Sequence, residues 1–300
     1  MEEIKTKVKN DNCINCGCCI KVCPAKIFIS SDNEALVKKQ NLKYCINCDD
    51  CKAVCPKKAV VNKNLNTKEI NNMGLNYESE KLLSFLEKRR SIRSYKSDNL
   101  SKEEKQYLNK VSSLAPKGGH TKSLRKTEII IIESEELINE ITSYSYQYLK
   151  LLKKKLNSFW FTIFKFFNNS LKESLNNTVD RINLTLKAHE DNINMLTYDA
   201  PNLIILHAEK DNPVAQKNLT IMEYQLMLGA EGLNLGTCFL GWVSFALQSF
   251  RLKRTDDLKE IYEKLEIPAN RKILSAFSIG RKRVDYKKLK SKRNMKIAVK

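Results

Sequence analysis

Glycine is scarce in this chain, with nine residues in 300. None of them forms a G-x-G-x-x-G or a G-x-x-x-x-G-K-[ST] run. A Rossmann dinucleotide site and a Walker phosphate loop are therefore disfavoured. Long apolar runs are missing as well: no stretch reaches ~18 consecutive apolar residues, the length that spans a bilayer. The start, Met1 to Lys5, has no apolar secretory segment, so a cytoplasmic chain is expected. Cysteine is absent from most of the length. Nine of the ten lie between residues 13 and 55, and the tenth is Cys238. Without a secretion signal a disulfide framework is disfavoured, because the cytosol keeps thiols reduced. What is present is a chain 42% apolar and 29% charged. That composition excludes a collagen-like or wholly disordered chain. Its length suits about two domains.

The spacing of the cysteines says more than their number. Cys13, Cys16, Cys19 and Cys23, followed by Pro24, read C-x2-C-x2-C-x3-C-P, and so do Cys45, Cys48, Cys51 and Cys55 before Pro56. Laid over each other, Cys13 to Pro24 and Cys45 to Pro56 agree at eight of twelve positions, an internal repeat of one unit. In such a run three cysteines hold three corners of an iron–sulfur cube, and the fourth reaches the other cube. Cys13, Cys16, Cys19 and Cys55 are thus expected to hold one 4Fe–4S cluster, and Cys45, Cys48, Cys51 and Cys23 the second. A pair of zinc sites fits poorly, since zinc favours two separated C-x2-C pairs, often with histidine. Cys18 falls outside the ligand spacing and reads as a packed free thiol beside the cluster. Residues 1–61 so resemble the bacterial two-cluster ferredoxins.

An Asn-rich, aperiodic stretch over 62–78 reads as a linker. From Glu80 the spacing of Leu82, Leu83, Phe85 and Leu86 predicts a helix. It runs into Arg89-Arg90-Ser91-Ile92-Arg93-Ser94, which reads either as a solvated basic turn or as a phosphate grip. Strands are expected over 128–133, 202–207 and 273–279, with helical patterns over 101–112, 135–156 and 216–235. That alternation predicts a sheet covered by helices. The glycines at 118 and 119 and at 229, 232, 236 and 241 mark places of close backbone approach.

Five pieces in this order resemble the nitroreductase family of flavoproteins across residues 79–300. They are Arg89-Arg90-Ser91-Ile92-Arg93, Ala115-Pro116-Lys117-Gly118-Gly119-His120, Asp199-Ala200-Pro201, the stretch from Ala230 to Gly241, and Ile279-Gly280 with its basic tail. The whole chain is similar to ferredoxin-fused nitroreductases of anaerobes. The resemblance implies an α+β fold, a homodimer, and one FMN per active site at the dimer interface. It places Arg89, Arg90, Ser91 and Arg93 on the FMN phosphate and ribityl chain. Pro116, Lys117, Gly118, Gly119 and His120 would line the flavin, and Phe239, Leu240 and Gly241 would lie along its ring. A late basic pair falls on Lys292 and Arg293. The chain departs from the family after the glycines: His120-Thr121-Lys122-Ser123 stands where Asn-x-Gln-Pro is usual. His120 reads as a flavin contact, a substrate contact or a surface residue.

Residues 148–171 form a helical stripe from Tyr148 through Phe159 and Trp160 to Leu171, flanked by Lys153, Lys154 and Lys155. A core, interface or lid helix is expected, with membrane association disfavoured. The formal balance of +19 comes mostly from the second domain and the tail. With no recognition motif, nucleic-acid binding is not expected; steering of FMN phosphate and of an acidic electron donor is. The function expected is a ferredoxin-linked flavin oxidoreductase. It would pass electrons from the clusters to FMN, and then as hydride to a nitroaromatic, quinone or similar small electrophile. The alternatives are an NAD(P)H-dependent nitroreductase with accessory clusters, and a non-enzymatic electron carrier or redox sensor.

Overall fold

The computed structural model describes residues 6–31, 34–46, 48, 50–62, 78–118, 126–158, 169–249, 255–289 and 298. Its contacts divide the chain into two compact units, Met1–Asn76 and Tyr77–Lys300.

In the first unit β1 (Thr6–Val8) pairs antiparallel with β4 (Val60–Asn62), and β2 (Phe28–Ser31) with β3 (Glu34–Val37). Two short helices, α1 (Cys18–Val22) and α2 (Asp50–Ala53), follow the opening cysteines of each run. The repeat folds as the same turn twice. Lys26 and Lys58, equivalent positions of the two runs, both take left-handed φ values, of 47° and 52°. The N–H of Ile27 reaches Cys23 Sγ at 3.5 Å, and that of Ala59 reaches Cys55 Sγ at 3.2 Å. The core is small: Cys19, Ile27, Phe28, Ala35 and Val60 are buried, and Cys13, Cys23, Cys45, Cys51 and Cys55 pack against them. Thiols occupy the places where a larger domain would put aliphatic side chains.

The second unit is α+β. It begins with α3 (Ser79–Lys88) and α4 (Lys102–Ser113). A capping box starts α4: Glu104 N–H donates to Ser101 Oγ, and Ser101 N–H to the Glu104 carboxylate. Then come β5 (Thr127–Ile132), α5 (Glu135–Leu156), α6 (Asn169–Glu190) and β6 (Asn202–Glu209). The chain continues through α7 (Ala215–Gly232), β7 (Leu235–Phe239), α8 (Gly241–Gln248), α9 (Thr255–Lys264) and β8 (Arg271–Arg281). The sheet runs β5-β6-β8-β7, every neighbour antiparallel. Helices cover both faces, so β6 is a continuous apolar run rather than an alternating one. Leu203 and Ile205 meet α5, α6, α8 and α9, while Ile204 and Leu206 meet α4 and α7.

Two expectations need correction. The helix over 216–235 stops at Gly232, and residues 235–239 are a strand. Asn234 takes a left-handed φ of 56°, which turns the chain out of the helix although Leu233 and Leu235 continue its apolar pattern. The stripe over 148–171 is not one helix among the described residues: α5 ends at Leu156, and α6 starts at Asn169. Residues 159–168, Phe159 and Trp160 included, lie outside the description. No helix among the described residues is long and apolar enough to cross a membrane.

Candidate functional site

The cysteine runs fold around two cavities. Cys13, Cys16, Cys19 and Cys55 line one, together with Cys18. Cys23, Cys45, Cys48 and Cys51 line the other. Each run gives three cysteines to one cavity and its pre-proline cysteine to the other. No three His, Cys, Asp or Glu groups among the described residues gather tightly enough for a single metal ion. The thiols ring a space instead of converging on a point, and an all-sulfur ring is the donor set that suits an iron–sulfur cube. Burial pushes the Cys51 thiol up to about 12, and the nearby Cys23, Cys48 and Cys45 add to the rise. Cys19 is raised by burial too, with Cys13 and Cys55 adding and backbone N–H groups opposing. Ionising thiols this close together is unfavourable unless a cationic core lies between them.

In the second unit the segment after α3 lies along the edge strand β7. Ser91 bridges Thr237 in parallel, and Ile92 N–H donates to the Thr237 carbonyl at 2.9 Å. Gly236 makes this approach possible: a Cβ there would lie 2.7 Å from Ile92 Cβ and Cγ2. Along this extended segment the side chains alternate. Arg93, Ser91 and Arg89 all lie near enough to Cys238 to favour its ionised form. Burial pushes the Cys238 thiol up, opposed by Arg93, a hydrogen bond with Ser91, and Arg89. Arg93 lies 5.4 Å from the centre of the Tyr198 ring. Two guanidinium groups and a hydroxyl on one side of an edge make a donor set that fits a phosphate ester.

Arg90 is not part of that group. Its guanidinium stacks 4.1 Å above the Tyr286 ring, in a pocket of about 180 Å³ shared with Lys88, Lys282 and Lys288. Its Nε is buried without a hydrogen-bond partner.

The loop after α4 is pinned to α7. Gly118 N–H donates to Asn218 Oδ1 at 2.7 Å, and Asn218 Nδ2 donates to the Gly118 carbonyl at 3.1 Å. Pro116 and Gly118 stay exposed, and Lys117 is half-buried. At the end of β7, Phe239 is 53% exposed while Leu240 is buried. Leu240 N–H donates to the Ala276 carbonyl at 3.0 Å. Gly241 is the first residue of α8, so its N–H has no acceptor within the helix. Gly241, Trp242 and Phe245 form one wall of an open groove, and Asn177, Asp180 and Arg181 of α6 stand on the other.

Gly119, His120, Lys122, Lys292 and Arg293 lie outside the described residues. Sequence reasoning missed Tyr198, Asn218, Cys238 and Tyr286 as partners of the arginines and the glycine loop. Tyr198 adjoins the Asp199-Ala200-Pro201 piece, and Cys238 lies inside the Ala230–Gly241 piece. Asn218 and Tyr286 carry no local signal, since each meets its partner a hundred or more positions away along the chain.

Residues 86–281 match the nitroreductase family, and residues 12–60 match a 4Fe-4S dicluster domain. No curated protein matches the chain. Among solved structures, a nitroreductase with bound FMN from Desulfitobacterium hafniense is similar at a TM-score of 0.52 and 17% identity, covering 71% of this chain and 94% of that one. One from Bacteroides fragilis, also with bound FMN, is similar at a TM-score of 0.52 and 16% identity, covering 73% and 99%. At these identities the likeness concerns the fold.

Proposed function

The chain belongs to the nitroreductase family, and on that premise we propose that it is an oxidoreductase holding one FMN and two 4Fe–4S clusters. It takes electrons from reduced ferredoxin or another low-potential protein and reduces a nitroaromatic, quinone or similar small electrophile. One observation carries this reading: eight cysteines divide four and four between two cavities, on a chain whose other unit has the flavoprotein fold. When bound, the clusters supply one-electron transfer, and the flavin supplies two-electron storage and hydride delivery.

The side chains have separable tasks. Arg89, Ser91 and Arg93 bind phosphate and ribityl oxygens from the β7 edge. Asn218 holds the Pro116–Gly118 loop against α7 so that its backbone lines the flavin. Leu240 spends its N–H on Ala276, which leaves the Gly241 N–H as the donor at the ring edge. Trp242 and Phe245 offer aromatic surface to a planar substrate in the groove beside Gly241. Phe239, Leu240 and Gly241 also shield that end of the ring from water. The cluster unit and the flavin unit share a chain, so electron transfer between them is intramolecular. The face of α3, with Leu82 50% and Leu83 52% exposed, supports a homodimer in which a second copy covers it.

The test is anaerobic purification with iron, sulfide and flavin analysis, then stepwise reduction by NADH, NADPH and reduced ferredoxin in turn. About eight iron and one FMN per chain, reduced by ferredoxin alone, are expected. Direct reduction by NAD(P)H would replace the proposed donor. Negligible turnover of small electrophiles by the fully reduced protein would make it an electron carrier. Zinc in place of iron, or no flavin, would overturn the reading.

A further inference from the structure

The two cysteine runs are copies of one unit, yet they differ just before the third cysteine. Laying Cys13 on Cys45 puts Cys18 on Asp50 and Gly17 on Asp49. Between its first and fourth cysteines the earlier run has one charged residue, Lys21, whereas the later run has Asp49, Asp50 and Lys52. Cys18 lines the first cavity beside Cys16, and the two thiols influence each other's charge. Asp50 opens α2 two positions after Cys48, close enough for its carboxylate to oppose negative charge on that sulfur.

These two neighbours act oppositely once the sulfurs carry iron. A ligating sulfur is a thiolate and only accepts hydrogen bonds. The Cys18 S–H can donate to Cys16, spreading its negative charge and favouring an added electron. The Asp50 carboxylate has nothing to donate; it stands beside Cys48 as a like charge and opposes an added electron. The backbone leans the same way. The N–H···S contact is 3.2 Å at Cys55, in the first cavity, and 3.5 Å at Cys23, in the second.

We propose that Cys18 and Asp50 hold the two clusters at unequal potentials, so that the Cys13–Cys16–Cys19–Cys55 cluster is reduced first and takes electrons from the other. In that step the Cys45–Cys48–Cys51–Cys23 cluster loses one electron and its neighbour gains one, with no proton or co-reactant required. Neither Cys18 nor Asp50 is a ligand. They are positioning residues acting through Cys16 and Cys48. The proposal rests on the assignment of 4Fe–4S clusters to these cavities.

The experiment is an anaerobic redox titration of the full chain, followed by electron paramagnetic resonance, after iron has been counted in each preparation. The native protein should show two one-electron waves from its clusters. Asp50→Asn should raise the lower wave alone. Cys18→Ala should lower the upper wave alone, and Cys18→Ser, which keeps a hydroxyl donor, should leave it near its native place. A tenfold change in the ratio of the two reduced clusters, about 59 mV for a one-electron couple, is the shift expected from each. A single wave in the native protein, or iron-replete Asp50→Asn and Cys18→Ala variants whose waves do not move, would overturn the proposal. Loss of iron from Cys18→Ala would overturn it as well, by making Cys18 a ligand. A native protein without about eight iron per chain would instead overturn the cluster assignment itself.

Discussion

Arg89, Ser91 and Arg93 share a side because the segment that carries them is extended against β7. The sequence shows basic and polar residues close together and has no means of sorting them. Only the pairing with Thr237 sends Arg90 to Tyr286 instead. Arg89→Ala is expected to weaken FMN binding by 10- to 100-fold, since a hydrogen bond to a charged group is worth about 1.5–3 kcal/mol. Arg90→Ala should weaken it far less. Flavin content after gel filtration checks both, with cluster absorbance unchanged. Glu223 is a buried carboxyl between α7 and β8 that accepts a hydrogen bond from Ser275 Oγ at 2.5 Å. Burial pushes it up to about 7, against the opposing pull of that hydrogen bond. A folded-state value above the unfolded one means that stability is fully present below about pH 4.3 and is lost as pH rises through 7. Glu223→Gln is therefore expected to stabilise the protein at pH 8 by up to about 3 kcal/mol and to change little at pH 4.5. Urea unfolding at the two pH values measures the difference.

At the scale of elements, α5 was readable because its ends are marked. Ser134 accepts the Leu137 N–H at the start, Glu135 and Glu136 follow, and Lys153, Lys154 and Lys155 close the last turn. The helical pattern over 135–156 ends where α5 does; only the stripe over 148–171, which continues past Asn157 in apolar residues, overran that end. The strand β7 was not legible. Five residues after a helix, two of them glycine and cysteine, give no period to detect, and their strand character comes from pairing with β8. Gly236 is where this element meets the arginine segment. Gly236→Ala would press a methyl against Ile92 Cβ, so a loss of about 1–3 kcal/mol is expected. Because Ile92 sits between Ser91 and Arg93, flavin should be lost along with stability. Thermal unfolding with flavin analysis tests the coupling; normal stability and normal flavin content would show that the edge yields.

For the whole molecule, the two units differ in how they are held. Residues 78–289 enclose two apolar cores on either side of a four-stranded sheet. Among its described residues the first unit has six buried apolar residues, one of them Cys19, and thiols make up half of the partly buried ones packed against their cluster. A domain of this size with so little apolar interior depends on its metal for stability. Chelation of iron under mild oxidation is expected to abolish hydrogen-exchange protection in β1–β4 while leaving β5–β8 protected. Protected β1–β4 strands in iron-free protein would show that the apolar residues suffice.

What the sequence determined by itself was whatever follows from spacing along the chain. The cysteines divide between two cavities because ligand spacing and the pre-proline turn are local properties, carried by each run in turn. Strands over 128–133, 202–207 and 273–279 were legible from their apolar runs, and in β6 the run is continuous because both faces are buried. Tertiary structure alone decided which arginines face together, that Asn218 secures the glycine loop, and that the Leu240 N–H is already engaged. Those outcomes depend on partners far apart along the chain, brought together by sheet register and close approach at Gly236. No period or motif along the chain encodes them.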